Sequence, residues 1–300
     1  MDLLTDDDAQ LALTVCYELH YESFAGVDDG WEWDPTLLGF RAGLEGAFVN
    51  RLEDEVGPPT PVAPTEVVLA LLDLADSDGP SLSGYLERHG RREHFREFCV
   101  HRSEYQRKEA DPHTWMVPRL RGRAKAAAVE IQYDEYGEGR AAAMHAELFA
   151  TTMTALGLDP RYGAYRDLLP GPTLATGNLV TMLGLHRRWR AACAGHLALF
   201  EMSSVTPMSR YSATLRRLGL GAGARRFYDV HVAADAWHEQ LALRELVGGL
   251  LEPEPDAGGL VLFGARALMA VEQRMAESMI DAWTDDTTAL LAPLPASLAA

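Results

Sequence analysis

Apolar residues recur along most of this chain at the spacing of an α-helix, in long stretches rich in Ala and Leu. Alternating apolar and polar runs, which would indicate β-strands, are scarce, so the pattern predicts an all-α fold. The proline-rich stretch GPPTPVAPT, which begins at Gly57, interrupts the pattern. We therefore predict an N-terminal helical segment and linker at 1–64, a helical bundle at 65–292 and a flexible tail at 293–300.

Proline and glycine mark the predicted ends of the core helices. The first should run from about Gly90 to Asp111, because Pro112 disfavours helical geometry in the residue before it. This would place Glu109 in its last turn. The remaining predicted helices begin at about Gly122, span Leu179 to Glu201 and close before Pro207, and cover Ala224 to Leu250 and Leu260 to Trp283.

One predicted helix has three metal-binding side chains on a single face. His231, Asp235 and His238 stand at positions i, i+4 and i+7, which places them on one narrow stripe. Two imidazoles and a carboxylate suit Fe(II) and leave coordination positions open for O2, whereas a closed structural zinc site needs four ligands. The alternative is an amphipathic helix whose polar edge contains two histidines by chance.

Three upstream residues are candidate partners for this face: Glu109, Glu135 and His145. Glu135 and His145 are ten residues apart, which in a straight helix separates them by about 15 Å along the axis. Gly137 and Gly139 lie between them and predict a bend or an unwound turn, since glycine weakens helices. The alternative is that one helix ends at Gly137 and a new one starts near Arg140.

Glu201 is a fourth candidate carboxylate, thirty residues before His231. Its neighbours Leu197, Leu199, Phe200 and Met202 are apolar, and an unpaired carboxylate would be costly in such surroundings. The alternative is a Glu on the solvent side of a helix, which is the usual position of this residue type.

The order and spacing of these residues resemble the heme-oxygenase-like diiron oxidases, also described as iron-containing redox enzymes. The likeness covers about residues 91–245 and implies a heme-oxygenase-like helical bundle. In that family the first core helix supplies a Glu, the second a Glu with a His ten residues later, and the third His-x3-Asp-x2-His. Glu201 stands where the N-oxygenating members carry an additional carboxylate. The resemblance implies that two labile Fe(II) ions per chain are held, and used in catalysis, by Glu109, Glu135, His145, Glu201, His231, Asp235 and His238.

The same resemblance implies a non-heme diiron oxygenase. Its N-oxygenating branch predicts oxygen transfer to the nitrogen of an amine or guanidine in specialised metabolism, with O2 and a small molecule as substrates and an unidentified electron donor. Two alternatives remain open: an oxidase for carbon–carbon cleavage or desaturation of an acid, and a non-catalytic metal-binding helical protein. The protein could form a homodimer under each of these three interpretations.

Composition narrows the partners and the compartment. A formal net charge of -17 excludes nucleic acid as a partner, since that affinity rests on clustered Lys and Arg, and weakly favours cationic small molecules. Three scattered cysteines predict no disulfide framework. The acidic N-terminus lacks the pattern of a secretory signal, and no stretch is apolar enough to cross a membrane, so we expect a cytoplasmic protein that does not bind membranes.

Two other iron folds fit the sequence less well. The chain contains no Glu-x-x-His, which disfavours a ferritin-like bundle, and its clustered carboxylates suit bare iron better than heme. The segment after Glu201 is predicted to form a loop beside the site, where it could contact the substrate. The alternative is that its polar residues serve only as turn and capping residues. These residues are Ser203, Ser204, Thr206, Arg210 and Tyr211.

His113 is a candidate to support Glu109, and the alternative for it is a capping or surface role.

Overall fold

The computed structural model of the protein describes residues 2–77 and 79–294, apart from the side chains of residues 235 and 236. These residues form helices joined by turns, without a β-strand among them, so the predicted all-α fold is confirmed. Most of the predicted tail at 293–300 lies outside the described residues. The α-helices are α1 Asp7–Glu18, α2 Pro35–Val56, α3 Pro64–Ala75, α4 Leu82–His89, α5 Arg92–Gln106, α6 Asp111–Thr114, α7 Gly122–Glu135, α8 His145–Ala155, α9 Gly171–Leu185, α10 Arg190–Arg217, α11 Ala222–Gln240, α12 Gly248–Leu251 and α13 Gly258–Thr284.

The long helix α10 lies at the centre and packs against α4, α9, α11 and α13. Two glycines allow its backbone to approach α13 closely. A Cβ on Gly195 would lie 1.9 Å from the carbonyl oxygen of Val261, and a Cβ on Gly264 would lie 1.9 Å from that of Ala192. Only glycine fits at either position, so this crossing fixes α10 against α13.

The N-terminal helices complete the same core. α1 packs on α9, where Thr14 donates a hydrogen bond to the Asn178 side chain at 3.0 Å, and α2 packs on α13. Leu13 and Leu52 are buried in the same apolar cluster as residues of α9 and α13. The linker is where the sequence placed it, between the end of α2 and the start of α3 at Pro64. The division into segments 1–64 and 65–292 stays a prediction.

The first core helix is shorter than predicted. α5 ends at Gln106, and Pro112 lies at the start of the short helix α6 rather than after the end of α5. Proline suits the first turn of a helix because its φ is already helical and its missing N–H is not needed there. Ala110, the residue before α6, has φ 78°, a strained conformation for a residue with a Cβ. Glu109 therefore lies in a tight turn between two helices.

The prediction of a single helix over Leu179 to Glu201 is also wrong. α9 ends at Leu185, where the guanidinium of Arg119 donates hydrogen bonds to the carbonyls of Gly184 and Leu185 and thereby satisfies a helix end. α10 then continues through Pro207, so the predicted loop at 203–211 is helical. Packing on both sides of α10 outweighs the local cost of a proline inside a helix.

The C-terminal helices follow the prediction closely. α11 continues into a π-helix at Leu241–Val247 and then into α12, which together match the segment predicted from Ala224 to Leu250. α13 matches the predicted final helix within about two residues at each end. Among the described residues, no helix combines the length and apolarity needed to span a bilayer.

Candidate metal centre

Six of the seven predicted site residues meet inside the bundle, although they come from different elements. Each of the six side chains is less than 8% exposed. The seventh, Asp235, lies within α11, but its side chain is outside the described part of the structure. Glu109 lies in the turn after α5, Glu135 is the last residue of α7, His145 is the first residue of α8, Glu201 lies in α10, and His231 and His238 lie in α11.

The glycine-rich segment between α7 and α8 brings Glu135 and His145 together. Gly137, Glu138 and Gly139 all have positive φ, so the helix ends and the chain folds back on itself. A Cβ on Gly137 would lie 2.5 Å from the backbone of Ala143, which shows how tight this reversal is. As a result, His145 Nδ1 lies 2.7 Å from Glu135 Oε2. The prediction of a bend or an unwound turn within one helix is therefore wrong: α7 ends at Glu135 and a separate helix starts at His145. This matches the alternative of two helices, although the second one starts five residues later than Arg140.

The first group of potential ligands consists of Glu109, Glu135, His145 and His231. One nitrogen or oxygen from each of them lies within 4.8 Å of one from every other. His231 Nδ1 lies 2.7 Å from the carbonyl oxygen of Phe227, and a carbonyl can only accept, so Nδ1 carries the proton. The lone pair is therefore on Nε2, which faces Glu109 Oε1 at 3.7 Å.

The second group consists of Glu135, Glu201 and His238, again with one donor atom from each within 4.8 Å of the others. His238 Nδ1 lies 3.3 Å from Glu201 Oε2, while Nε2, on the other side of the ring, lies 2.9 Å from Asp134 Oδ2. Glu135 belongs to both groups. The two groups are therefore neighbours that share one carboxylate.

The donor set fits iron. Imidazole nitrogens together with carboxylate oxygens suit iron, whereas soft thiolates, which favour copper(I) or iron–sulfur clusters, are not in either group. Glu109 Oε2 is buried and has no hydrogen-bond partner among the described residues, which is costly for a carboxylate unless a cation binds it. The residues present thus match the ion that the sequence resemblance implies.

The pKa shifts of the buried carboxylates and of His238 also indicate a site for a cation. Burial raises the pKa of Glu109 and of Glu201, with partial compensation from His231 and His238 respectively. Burial alone would lower the pKa of His238, but its hydrogen bonds to Glu201 and Asp134 raise this pKa to about 9. In the metal-free protein a proton on His238 therefore supplies part of the positive charge that a bound cation would otherwise provide.

A cavity of about 10 Å³, about the space that one water molecule needs, adjoins the ligands. Gln132 lines it, and the Gln132 Nε2 donates to the carbonyl of Ala110 and to Thr114 Oγ1, both at 2.6 Å. Since the carbonyl accepts only, these bonds fix which way the amide points, and Oε1 has no partner among the described residues. The other non-ligand side chains of the wall include Tyr105, His113, Leu197, Phe200 and Ser204.

The hydrogen bond of His113 goes to His196 rather than to Glu109, and its side chain is buried rather than at the surface. Its Nε2 lies 3.0 Å from His196 Nδ1, and burial lowers the pKa of both imidazoles, that of His113 to about 3. The two rings are therefore neutral and share one hydrogen bond. His113 forms part of the cavity wall, and His196 contacts it at 3.0 Å.

The predicted substrate segment contributes one residue to the cavity, Ser204, from α10. Tyr211 is buried against Phe98, with ring centroids 4.5 Å apart, and Arg210 contacts Ser81 near the surface. Sequence reasoning missed Asp134 and Gln132. Gln132 was signalled by position, because it precedes Glu135 by three residues and shares a helix face with it, whereas no sequence signal marked Asp134.

Comparison with known proteins identifies the family of this chain. A search of curated proteins finds no match for this chain. A family model, described as iron-containing redox enzyme, matches residues 96–273, more than half of the 300 residues and all of the ligand groups described above. The fold is accordingly the predicted heme-oxygenase-like bundle, and the chain belongs to the iron-containing redox enzyme family.

Proposed function

We propose that this protein is an O2-dependent oxidoreductase that uses two Fe(II) ions. The observation that carries the proposal is the sharing of Glu135 by two adjacent groups of ligands. A carboxylate has two oxygens and can bridge two cations, so Glu135 would join the ions of the two groups. In the first site Glu109, His145 and His231 complete the set, and in the second Glu201 and His238 do so. Asp235 remains a proposed ligand on the strength of its position in α11.

Charge supports two divalent ions rather than one. The described groups contain three buried carboxylates, those of Glu109, Glu135 and Glu201, and hydrogen bonds raise the pKa of His238 beside them to about 9. One divalent ion would leave carboxylates uncompensated once His238 gave up its proton to bind metal. With Asp235 as the fourth proposed carboxylate, two divalent ions balance the negative charges, whereas one ion would leave two of them uncompensated.

Two ferrous ions bound here would supply the two electrons with which O2 is reduced. The part of the chain is to hold the ligands in place and to limit the space beside them. The Phe227 carbonyl keeps His231 in the tautomer that presents Nε2, and Leu197 and Phe200 form an apolar part of the cavity wall. A substrate larger than water requires the wall to move, because the cavity holds only about 10 Å³.

For the substrate we propose an amine or guanidine. Hydroxylation of an amine balances as R–NH2, O2, two electrons and two protons giving R–NHOH and water, so an external electron donor must restore the ferrous pair after each turnover. The Oε1 of Gln132 is an acceptor that needs an N–H or O–H donor. The charge of -17 adds a field that favours cationic substrates.

Glu201 also supports chemistry at nitrogen. It is 4% exposed and close to His238, rather than on the solvent side of α10. An extra carboxylate makes the bound pair more electron-rich. The alternatives of carbon–carbon cleavage or desaturation of an acid would bring a further negative charge to a site whose polar wall already consists largely of acceptors, so they have less support.

Anaerobic titration with Fe(II), followed by Mössbauer spectroscopy, tests the metal content. We expect two ions per chain, which become a magnetically coupled ferric pair after exposure to O2. His231→Ala should lose at least one ion, whereas the control His89→Ala, at an exposed position, should keep both. Saturation at one uncoupled ion per chain would contradict the proposal.

Oxygen uptake separates an enzyme from a metal-binding structural protein. The ferrous protein supplied with a reductant and a panel of small amines and guanidines should consume O2 and form hydroxylamine or nitro products. Glu201→Ala should change the absorption transient that follows rapid mixing with O2 and should lower the yield of N-oxygenated product. A transient identical to that of the unmodified protein would remove the main support for chemistry at nitrogen.

A further inference from the structure

Asp134 is the one described side chain outside the two ligand groups that holds a ligand histidine. Its Oδ2 lies 2.9 Å from His238 Nε2. His238 is fully buried, whereas the side chain of Asp134 is 37% exposed. Asp134 therefore approaches the histidine from the outer side of the site.

One imidazole nitrogen of His238 faces the other members of its ligand group, and the other nitrogen faces outward. Nδ1 is beside Glu201, a member of the second group, and Nε2 is beside Asp134. Metal binding requires an unprotonated nitrogen, and the other nitrogen then carries the proton. With the metal on Nδ1, the Nε2–H donates to Asp134, so the existing contact already has the geometry of the metal-bound state.

We propose that Asp134 is a positioning residue for the second metal ion. It fixes the tautomer and the ring orientation of His238 and makes this imidazole a more basic ligand. The proposal rests on the proposed function, because it requires a metal ion in the group of Glu135, Glu201 and His238.

The other histidine of α11 has a matching arrangement. The outer nitrogen of His231 donates to the backbone carbonyl of Phe227 at 2.7 Å. Both histidines are thus held through the nitrogen that faces away from the other members of their ligand group, one by a neutral acceptor and one by a carboxylate. A charged acceptor forms the stronger hydrogen bond, so the second site depends on a replaceable side chain where the first depends on the backbone.

The position of Asp134 in its own helix supports a role outside that helix. It lies in the last turn of α7, where the negative end of the helix dipole disfavours a carboxylate. Its replacement should therefore cost α7 nothing. Because Asp134 and Glu135 are adjacent, the same turn of helix sets both the shared ligand and the residue that orients His238.

The test compares Asp134→Ala, Asp134→Asn and the control Glu130→Ala in anaerobic titrations with Co(II) or Fe(II), followed by optical and Mössbauer spectra. Glu130 is an exposed acid one turn earlier on the same face of α7 and bonds the Trp237 indole at 3.3 Å. We expect Asp134→Ala to weaken the second ion by about 10- to 100-fold and to leave the first unchanged. Asp134→Asn retains an acceptor oxygen and should lose less, and Glu130→Ala should bind both ions normally.

Several outcomes would overturn the inference. These are a second ion bound as tightly in Asp134→Ala as in the unmodified protein, equal weakening of both ions, and complete loss of the second ion in Asp134→Asn, which would make Asp134 a direct ligand. If the unmodified protein binds only one ion, the proposed function itself fails. Two ions in both proteins at equal affinity would instead refute only the role of Asp134.

A second readout follows the proton directly. In the Zn(II)-substituted protein, which is diamagnetic, nitrogen-15 NMR of His238 should show the proton on Nε2, and Asp134→Ala should shift that proton's resonance upfield. A proton on Nδ1 in the unmodified protein would contradict the proposal, since the metal would then occupy the nitrogen that faces Asp134.

Discussion

Two buried groups of charged side chains meet at adjacent residues, Lys108 and Glu109, yet they differ in charge balance. Lys108 belongs to a cluster with Glu18, Glu104 and Arg166, which we call the balanced cluster. Lys108 contacts both carboxylates, and Arg166 contacts Glu18 at 3.0 Å and Glu104 at 3.3 Å. Two formal negative charges therefore meet two positive ones.

Glu109 belongs to the candidate metal centre, in which three carboxylates lie among histidines, whose imidazoles carry no fixed positive charge. Both groups consist of polar side chains that are mostly buried, so burial alone does not distinguish a structural ionic cluster from a metal site. The charge balance does. A cluster that is neutral within itself needs no ligand, whereas an excess of buried carboxylates needs cations from solution.

The largest effect should come from breaking the balanced cluster. Lys108→Met leaves Glu18 and Glu104 with one cation, and removal of one partner from a buried ionic group costs about 3–5 kcal/mol. We expect the free energy of unfolding in urea to fall by this amount. The matched control Lys125→Met, the only other lysine, should stay within about 0.5 kcal/mol because Lys125 is half-exposed. If Lys108→Met and Lys125→Met lower the free energy of unfolding by the same amount, the cluster adds no stability.

Metal binding should stabilise the candidate metal centre and leave the balanced cluster largely unchanged. A ligand at one hundred times its dissociation constant stabilises the folded state by about 2.7 kcal/mol. We expect Fe(II) to slow hydrogen exchange most in α11, which carries His231 and His238, and less in α1, which carries Glu18. Equal exchange rates in α11 with and without Fe(II) would show that the helix is fully ordered without metal and that binding is not coupled to its order.

The metal-free protein should lose stability as the pH rises. The pKa of His238 is raised from 6.5 to about 9 in the folded state, so its contribution is complete below pH 6.5 and is lost as the pH rises through 9. We expect a decrease of about 1–2 kcal/mol in the free energy of unfolding across this range. His238→Gln should lack this decrease, and a decrease of the same size in that variant would assign it to another group.

The smallest effect concerns a hydrogen bond inside the balanced cluster. Tyr162 donates its hydroxyl proton to Glu18, with both carboxylate oxygens at 2.6 Å. Because Glu18 keeps Lys108 and Arg166, Tyr162→Phe should cost only about 0.5–1.5 kcal/mol. Urea unfolding measures this, and a cost as large as that of Lys108→Met would show that the phenol, not the charge balance, holds the cluster together.

The sequence was most informative where local spacing and local chemistry coincide. The face of His231 and His238 follows from helical periodicity, and the reversal before His145 follows from two glycines with positive φ. Glu201 was predicted from its apolar neighbours, which follow from its place in the central helix.

Other features depend on contacts between distant segments and could not be predicted. The turn that holds Glu109 contains a strained Ala110, and α10 continues through Pro207 because helices pack on both sides of it. Asp134 looks like an ordinary surface acid in the sequence. Only the approach of α11 to the end of α7 gives it a partner.

The crossing of α10 and α13 has a consequence for how this protein can vary. Gly195 and Gly264 leave no room for a methyl group, and Gly195 lies six residues before Glu201, about 9 Å along the same helix. A Cβ at either position would push α10 away from α13 and move Glu201 relative to His238. Two absent methyl groups far from the ligands therefore help to set the spacing of the candidate metal centre, and a variant that enlarges either glycine must change the opposing helix as well.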